Sequence, residues 1–249
     1  MTNPLADPYV ILNKVYGGGA FLKQAIADTP IEEINRARTV KIAYGVLEND
    51  LYLEYCIRAF APKNPKLPVR IVLKISVYML LFLGKKKYMV TDNAVSLVKK
   101  LGKGGAAGFV NAFLRAFEPE KVKLPEGELA ALSVKASYPM FALSRLVKAY
   151  GRDTAEKVAL YRAEGVCVRF ACSEEKMNGY LAGAEHLQTP FADTCIFRNF
   201  ARGEGYDAGE YTFQSVGSVA IAAGIAPCEN LLDACAAPGG KSVLLSEKC

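Results

Sequence analysis

The sequence LLDACAAPGGK, residues 231–241, decides how the last part of this chain folds. Two leucines followed by Asp233 predict a short strand that ends in an acid, and Gly240 with Lys241 predicts the start of a helix. The small or rigid residues between them let a ligand lie against the backbone, while the first amides of a helix attract an anion. The stretch therefore predicts a cofactor-binding loop at the start of an α/β domain.

Two other interpretations fit parts of this loop. An ordinary tight turn between a strand and a helix needs no ligand. Gly240, Lys241 and Ser242 also form the end of a phosphate-binding loop, but that motif places its first glycine at position 235, where this chain has Cys235. The phosphate loop is therefore the weaker alternative.

The composition is that of a globular and moderately basic protein. The 249 residues exceed one typical domain of roughly 150 residues. Apolar residues make up 51% and charged residues 22%, which is ordinary for a chain that buries a core. The net charge of +6 is compatible with a polyanionic partner such as RNA.

The cysteines and the histidine argue against a metal centre. Seven cysteines are scattered without a C-x-x-C pair, and His186 is the only histidine of the chain. Structural metal sites need clustered ligands, so we expect no metal. The short, polar N-terminus does not resemble a signal peptide, and the odd number of cysteines suits a reducing cytoplasm.

The first 120 residues predict an all-α domain of six or seven helices. Thr29 is expected to cap one helix, with Pro30 in its first turn, and Thr91 or Asp92 to cap another. Apolar residues at helical spacing, with short connections, favour a compact bundle. The predicted helices, of which the first is one broken helix or two short ones, cover residues 8–27, 31–47, 51–60, 69–83, 94–101 and 109–117.

The most apolar of these helices, residues 69–83, is expected to lie in the core. It spans 15 residues, contains Lys74 and ends before Gly84, and is too short to cross a bilayer comfortably. We therefore expect no membrane association.

Polar residues of the helical domain suggest a surface for RNA, although solvated faces explain them equally well. Asn111 and Arg115 lie four residues apart, on one face of a predicted helix. Several lysines could together make a basic surface, but neighbouring positions in sequence do not prove a common face. They are Lys85, Lys86, Lys87, Lys99, Lys100, Lys103, Lys121 and Lys123.

The pattern changes after residue 165. Helices are predicted over residues 129–137, 139–149 and 153–162, and then short strands appear. The strands are expected at residues 166–170, near 194–200 and at 211–213, with helices at 174–182 and 215–223. This part predicts a small α+β segment that leads to the loop at residues 231–241.

Four segments together resemble one family, the bacterial Sun (RsmB-type) 16S rRNA cytosine-5 methyltransferases of the Nop2/Sun group. DACAAPGGKS resembles the family's cofactor motif, with Ser242 where threonine is usual, and GFVNAFLRAF resembles a helix of its NusB-like domain. SYPMFALSRLVKAYG resembles the segment that joins the two parts, and VRFACSEEK stands in place of an "LRVN" strand. The four segments occur at residues 233–242, 108–117, 137–151 and 168–176.

The resemblance implies three parts. An all-α NusB-like RNA-binding domain would cover residues 1–124, and a helical connector with a small α+β subdomain would cover residues 125–205. Residues 206–249 would be the start of a truncated α/β Rossmann-like methyltransferase domain. The family also has a "V-Q-D" stretch, which here is TFQSVGS, with Gln214 retained and Ser215 in place of the acid, where serine can still cap a helix.

The resemblance also implies S-adenosyl-L-methionine as cofactor and small-subunit rRNA as substrate. Asp233 would accept a hydrogen bond from the cofactor's ammonium or orient the loop. Lys241, with the helix amides, would face the methionine carboxylate. The residues expected to lie along the cofactor are Asp233, Cys235, Ala236, Ala237, Pro238, Gly239, Gly240 and Lys241.

Catalysis in this family uses a cysteine thiolate, which adds to C6 of cytosine so that C5 can take the methyl group. The family's two cysteines lie in Pro-Cys and Thr-Cys contexts beyond the cofactor motif, so none is expected in this chain. Cys228 and Cys195 have those contexts but precede the loop, and we expect neither to be a nucleophile. The chain is thus expected to be an inactive, C-terminally truncated piece of the enzyme; the alternative is a NusB-like RNA-binding or partner-binding module without catalysis.

Overall fold

The computed structural model describes residues 3–61, 63–162 and 165–246. The chain forms two compact units, divided between Tyr161 and Arg162. In the described residues of the first unit, the helices are α1 (Ala6–Gly18), α2 (Leu22–Ala27), α3 (Glu33–Glu48), α4 (Asp50–Phe60), α5 (Leu67–Leu81), α6 (Lys87–Lys100), α7 (Ala107–Ala116), α8 (Glu128–Lys135), α9 (Met140–Tyr150) and α10 (Arg152–Leu160). Short 3₁₀ turns lie at Gly104–Ala106 and Pro119–Lys121.

Helix α5 is the centre of the first unit. Ten of its residues are buried, and it packs against α1, α3, α4, α6 and α7. Burial of apolar side chains around one central helix supplies most of the stability of such a bundle. The prediction that residues 69–83 form a buried core helix is therefore confirmed.

A second, smaller core lies under helices α8 to α10. It is built around Leu143, which is fully buried, together with Leu132, Ala136, Ala155 and Ala159. Gly151, with φ of 79°, ends α9 and precedes α10, as expected for a glycine at a helix end.

Two predicted helix starts are wrong. Helix α3 begins at Glu33, and Thr29 instead donates its hydroxyl to the carbonyl of Ala25 at 2.6 Å. Helix α6 begins at Lys87, seven residues before the predicted start, so Thr91 lies inside it and donates to the carbonyl of Lys87 at 2.8 Å. A threonine hydroxyl can bond backward to the carbonyl four residues earlier as well as cap the next helix, and the pattern alone does not distinguish the two.

The second unit contains a four-stranded antiparallel sheet in the order β2-β3-β1-β4. Its strands are β1 (Val166–Phe170), β2 (His186–Gln188), β3 (Thr194–Phe197) and β4 (Tyr211–Phe213). In register, Val168 lies opposite Cys195 on β3 and Phe213 on β4. A cluster of aromatic side chains covers one face, and within it Phe197 and Phe200 lie 4.4 Å apart between ring centroids.

The helices of the described part of this unit are α11 (Glu174–Leu181), α12 (Glu204–Asp207), α13 (Val216–Ala223) and α14 (Gly240–Ser246). Strand β2 and helix α12 were not predicted, because each is only three or four residues long and carries too few apolar positions to show a period. Ser215 caps α13 by accepting a hydrogen bond from the amide of Ser218, so the expected capping role is confirmed.

Candidate cofactor loop

Residues 231–239 form an irregular segment that leads directly into α14. The predicted strand at residues 231–233 is not formed, and Leu232 is 91% exposed. A strand requires a hydrogen-bonded neighbour, and within the described ranges no strand of the sheet pairs with this segment. The predicted helix after the loop is present and begins at Gly240.

Asp233 organises the loop through both of its carboxylate oxygens. Oδ1 accepts a hydrogen bond from the amide of Cys235 at 2.9 Å, and Oδ2 accepts one from the hydroxyl of Ser242 at 2.7 Å. The hydrogen bond from Ser242, then that from Cys235 and the charge of Lys241, hold the pKa of Asp233 below its usual value. The ionised carboxylate thus ties the start of the loop to the first turn of α14.

The middle of the loop offers its backbone to solvent. The side chains of residues 234–238 are exposed, and those of Cys235, Ala236, Ala237 and Pro238 are all small or rigid. Gly239 has φ of 110°, a conformation that residues with a side chain rarely adopt. A flat ligand could therefore approach the backbone without displacing a large side chain.

A buried chain of hydrogen bonds connects the sheet to the loop. Gln214 is 7% exposed; its Nε2 donates to the carbonyl of Gly240 at 3.1 Å, and its Oε1 accepts from Nε of Arg169 at 3.0 Å. Arg169 lies on β1 and is 3% exposed. Gly240, the first residue of α14, is thereby fixed to the inner strand β1 through two side chains.

Arg169 is the residue of this site that sequence reasoning missed. Its signal was a charged residue inside the apolar strand VCVRF, because a buried arginine needs partners that a strand alone does not provide. Gln214 was singled out through the family resemblance, but its contact with Gly240 follows only from the fold.

The cysteines of the second unit do not gather at the loop. Cys195 is fully buried on β3 and lies 2.7 Å from Oε1 of Gln188, and burial raises the pKa of its thiol. Burial likewise raises the pKa of Cys167. Buried thiols with raised pKa values are poor nucleophiles at neutral pH. Cys228 is exposed and precedes the loop, and Cys235 is exposed within it.

Of the polar pair singled out on α7, Asn111 is half-buried and Arg115 lies at the surface. Arg115 on α7 is exposed, and its carbonyl accepts a hydrogen bond from Nζ of Lys87 at 2.8 Å. All eight predicted lysines are exposed. Across the described ranges, no cluster of histidine, cysteine and carboxylate side chains could hold a metal ion. In the same ranges, no helix has the length and apolarity needed to cross a membrane.

Comparisons with known proteins agree with this arrangement. The NusB family model matches residues 11–119. The chain is 29% identical over 94% of its length to a "Probable ribosomal RNA small subunit methyltransferase B" of Bacillus subtilis, and 24% identical over 88% to a "Ribosomal RNA small subunit methyltransferase B" of Sodalis glossinidius. It covers 56% and 54% of these proteins, so it spans little more than half the length of the curated relatives it matches.

The fold has a counterpart among solved structures. The crystal structure of PH0851 aligns with 99% of this chain and 61% of its own, with a TM-score of 0.65 and 18% sequence identity. At that identity the likeness concerns the fold alone. Together with the family match, it confirms the NusB-like helical domain. The similarity to the two methyltransferases, with the NusB match, confirms the resemblance to RsmB-type methyltransferases that the four segments suggested.

Proposed function

We propose that this protein functions in the S-adenosyl-L-methionine-dependent methylation of cytosine C5 in small-subunit rRNA. The observation that carries the proposal is the similarity over 94% of the chain to a protein named as an rRNA small subunit methyltransferase B. That similarity extends well past residues 11–119, so it favours an enzyme over a NusB-like module alone. An rRNA-modifying role would place the protein in the cytoplasm.

The three-part division is part of the proposal. Residues 1–124 would bind RNA, and residues 206–249 would begin a Rossmann-like methyltransferase domain. Residues 125–205 would connect these two parts. Within the last part, Gln214 donates a hydrogen bond to the carbonyl of Gly240 and so joins the residue after β4 to the opening of α14.

The residues proposed for the cofactor fit it chemically. The exposed backbone of residues 235–239 would lie along S-adenosylmethionine, and Lys241 would pair with its carboxylate. Asp233 would act on the cofactor indirectly, since its oxygens hold the amide of Cys235 and the hydroxyl of Ser242. When bound, the cofactor supplies an electrophilic methyl group.

The function can be tested in the organism that encodes the chain. Deletion of the gene should abolish one 5-methylcytosine of small-subunit rRNA, as measured by bisulfite sequencing. The unaltered gene should restore it, whereas a copy with Asp233→Ala should restore it poorly. An unchanged 5-methylcytosine pattern after deletion would refute the proposed reaction.

The purified 249-residue chain is proposed to be inactive by itself. Burial raises the pKa of Cys195 and so disfavours its thiolate. Cys228 precedes the loop, whereas the cysteines of the resembling family lie beyond it. We expect weak or no binding of S-adenosylmethionine in equilibrium dialysis, and no methyl transfer from the labelled cofactor to small-subunit rRNA. Transfer above a protein-free control would contradict this expectation.

A further inference from the structure

A cavity of about 420 Å³ opens on the first unit, between the segment before α5 and the 3₁₀ turn before α7. This volume falls in the range of roughly 300–1,000 Å³ found for small-ligand sites. The cavity is formed entirely by residues of the helical unit, and none of the cofactor-loop residues lines it.

Part of the cavity lining is apolar. Pro65, Pro68 and the buried Val69 form one side, and the ring of Phe109 forms another. Phe109 is 37% exposed, and its ring lies 6.2 Å from that of Phe113, which is 3% exposed. The contact with a core side chain restrains Phe109, and the exposed part of its ring offers an aromatic surface to a ligand.

The rim of the cavity is basic. Lys63, Lys66 and Lys103 line it, and all three side chains are exposed. No aspartate or glutamate lines the cavity, and among the described residues none of these lysines forms an ion pair. Three uncompensated positive charges around a partly apolar lining favour a ligand that has an apolar plane and negative charges at its edge.

We propose that this cavity binds one unpaired nucleotide of an RNA strand, with the base against Phe109 and the adjoining phosphates near Lys63, Lys66 and Lys103. Single-stranded RNA matches both features, because its bases stack on aromatic side chains while its phosphates attract lysines. The inference rests on the proposed function, for which it names a docking point on the helical unit. An acidic peptide would match the lysines but not the aromatic surface.

The test measures fluorescence anisotropy of the purified 249-residue chain with a labelled single-stranded RNA of about twelve nucleotides, a length within known site sizes. Phe109→Ala should weaken binding about tenfold, and Phe109→Trp should largely retain it. Phe21→Ala is the matched control, because Phe21 is 87% exposed and does not line the cavity.

The lysines are tested by salt dependence between about 50 and 200 mM salt. Lys66→Gln and Lys103→Gln should each reduce the slope of log affinity against log salt by about 0.7 for a lost phosphate contact. Lys135→Gln, an exposed lysine on α8 outside the cavity, should leave the slope unchanged. Circular dichroism of each variant checks that the helices are intact.

Several results would overturn the inference. Equal affinity for the single strand and for its duplex, equal affinity of the Phe109→Ala and Phe21→Ala variants, or tighter binding of a poly-glutamate peptide would each exclude a nucleotide site. If gene deletion abolishes the cellular 5-methylcytosine but Phe109→Ala leaves RNA affinity unchanged, the methyltransferase proposal stands and only the nucleotide site in the cavity is refuted. If RNA binding is tight and depends on Phe109 but gene deletion leaves the methylation pattern unchanged, the nucleotide site stands and the methyltransferase proposal is refuted.

Discussion

Gly45 lies where α3 crosses the ring of Tyr78 on α5. A Cβ built on Gly45 would lie 2.1 Å from both Cζ and Oη of Tyr78, closer than real contacts allow. The ring cannot easily withdraw, because Tyr78 is 6% exposed and stacks on Phe82 with centroids 5.2 Å apart. This position therefore requires glycine for space, although its φ is ordinary.

Gly45→Ala should destabilise the first unit by roughly 1–3 kcal/mol, because overpacking outweighs the gain of up to ~1 kcal/mol in helix propensity. The midpoint of urea denaturation measures the effect. Gly18→Ala is the control, since a Cβ there meets nothing within 4 Å, and it should leave the midpoint unchanged or raise it slightly. Equal midpoints for the two variants would show that Tyr78 yields at no cost.

Cysteine reactivity should follow burial. Burial raises the pKa of Cys56 to about 11 and also raises that of Cys195, so the thiolate population of both is small at neutral pH. We expect iodoacetamide to modify the exposed Cys228 and Cys235 in the folded chain, and to reach Cys56 and Cys195 only in denaturant. Mass spectrometry of the digested protein measures this. Fast labelling of Cys195 in the folded chain would contradict the packing of β3.

At the scale of elements, a partly buried ion cluster joins α1, α4 and α5. Nζ of Lys74 lies 2.6 Å from Asp50 and 3.2 Å from Glu54, and 4.8 Å from the ring centroid of Tyr16. The hydroxyl of Tyr16 donates to Asp50. Burial, then this hydrogen bond, raises the pKa of Tyr16 well above its usual value. The side chain of Lys74 is 7% exposed, so its charge depends on these partners.

Lys74→Met should destabilise the chain by about 1–3 kcal/mol, because it removes the ammonium partner of the partly buried Asp50 and Glu54, while Arg58 and Arg70 still pair with Glu54. Lys41→Met, at an exposed position of α3, should change stability by no more than about 0.5 kcal/mol. Adding Asp50→Asn and Glu54→Gln to Lys74→Met should recover much of the loss. Urea denaturation compares the four proteins, and a Lys74→Met chain as stable as Lys41→Met would refute the argument.

In the second unit, Glu210 fastens α11 to the start of β4. It accepts hydrogen bonds from Nζ of Lys176 and, at 2.7 Å, from the hydroxyl of Tyr180. The bond from Lys176, then that from Tyr180, lowers the pKa of Glu210, and the bond to Glu210 raises the pKa of Tyr180 to about 12.

These pKa shifts give the contact a defined pH window. Because folding lowers the pKa of Glu210, the contact stabilises the fold above the usual carboxyl pKa of about 4.3. This stabilisation is lost as pH falls through the lower pKa of the folded state. Because folding raises the pKa of Tyr180, the contact also stabilises the fold below about pH 10. This stabilisation is lost as pH rises towards the higher pKa of the folded state. Glu210→Gln should therefore lower the urea midpoint at neutral pH and match the unaltered chain in strong acid. Glu229→Gln, at an exposed site, should have the urea midpoint of the unaltered chain at every pH. An effect of Glu210→Gln that does not change with pH would show that the charge of Glu210 is not what stabilises the contact.

The helices of the first unit could largely be predicted from sequence, because their apolar period reports directly which face is buried. The starts of α3 and α6 could not, since local sequence does not show whether a threonine hydroxyl caps the next helix or bonds backward to the carbonyl four residues earlier. The strand expected at residues 231–233 failed for a different reason, as a strand depends on a neighbour that local sequence does not specify. In the loop, the role of Asp233 as an organiser was one of two expectations, whereas the link from Arg169 through Gln214 to Gly240 joins residues far apart in the chain.

At the scale of the whole molecule, one long-range contact tests whether residues 1–124 are a self-sufficient domain. Ser137, with φ of 53°, follows α8, and its Oγ accepts hydrogen bonds from the amide of Leu51 at 2.9 Å and, more weakly, from that of Tyr52 at 3.4 Å. These are second and third residues of α4, whose own N-cap residue, Asn49, makes no side-chain cap. A serine 86 residues away thus performs the capping of α4.

Residues 1–161 expressed alone should fold, because that range contains the cores around α5 and Leu143. Residues 1–124 should also fold but be less stable, by at least the 0.5–2 kcal/mol that a lost cap typically costs. Ser137→Ala in residues 1–161 should reproduce about 1 kcal/mol of that difference, whereas Ser96→Ala, at an exposed site on α6, should not. Circular dichroism during urea denaturation measures all four proteins. Equal stability of residues 1–124 and 1–161 would mean that α8 to α10 add nothing to the bundle, because removal of a stabilising cap at Ser137 must lower the free energy of unfolding.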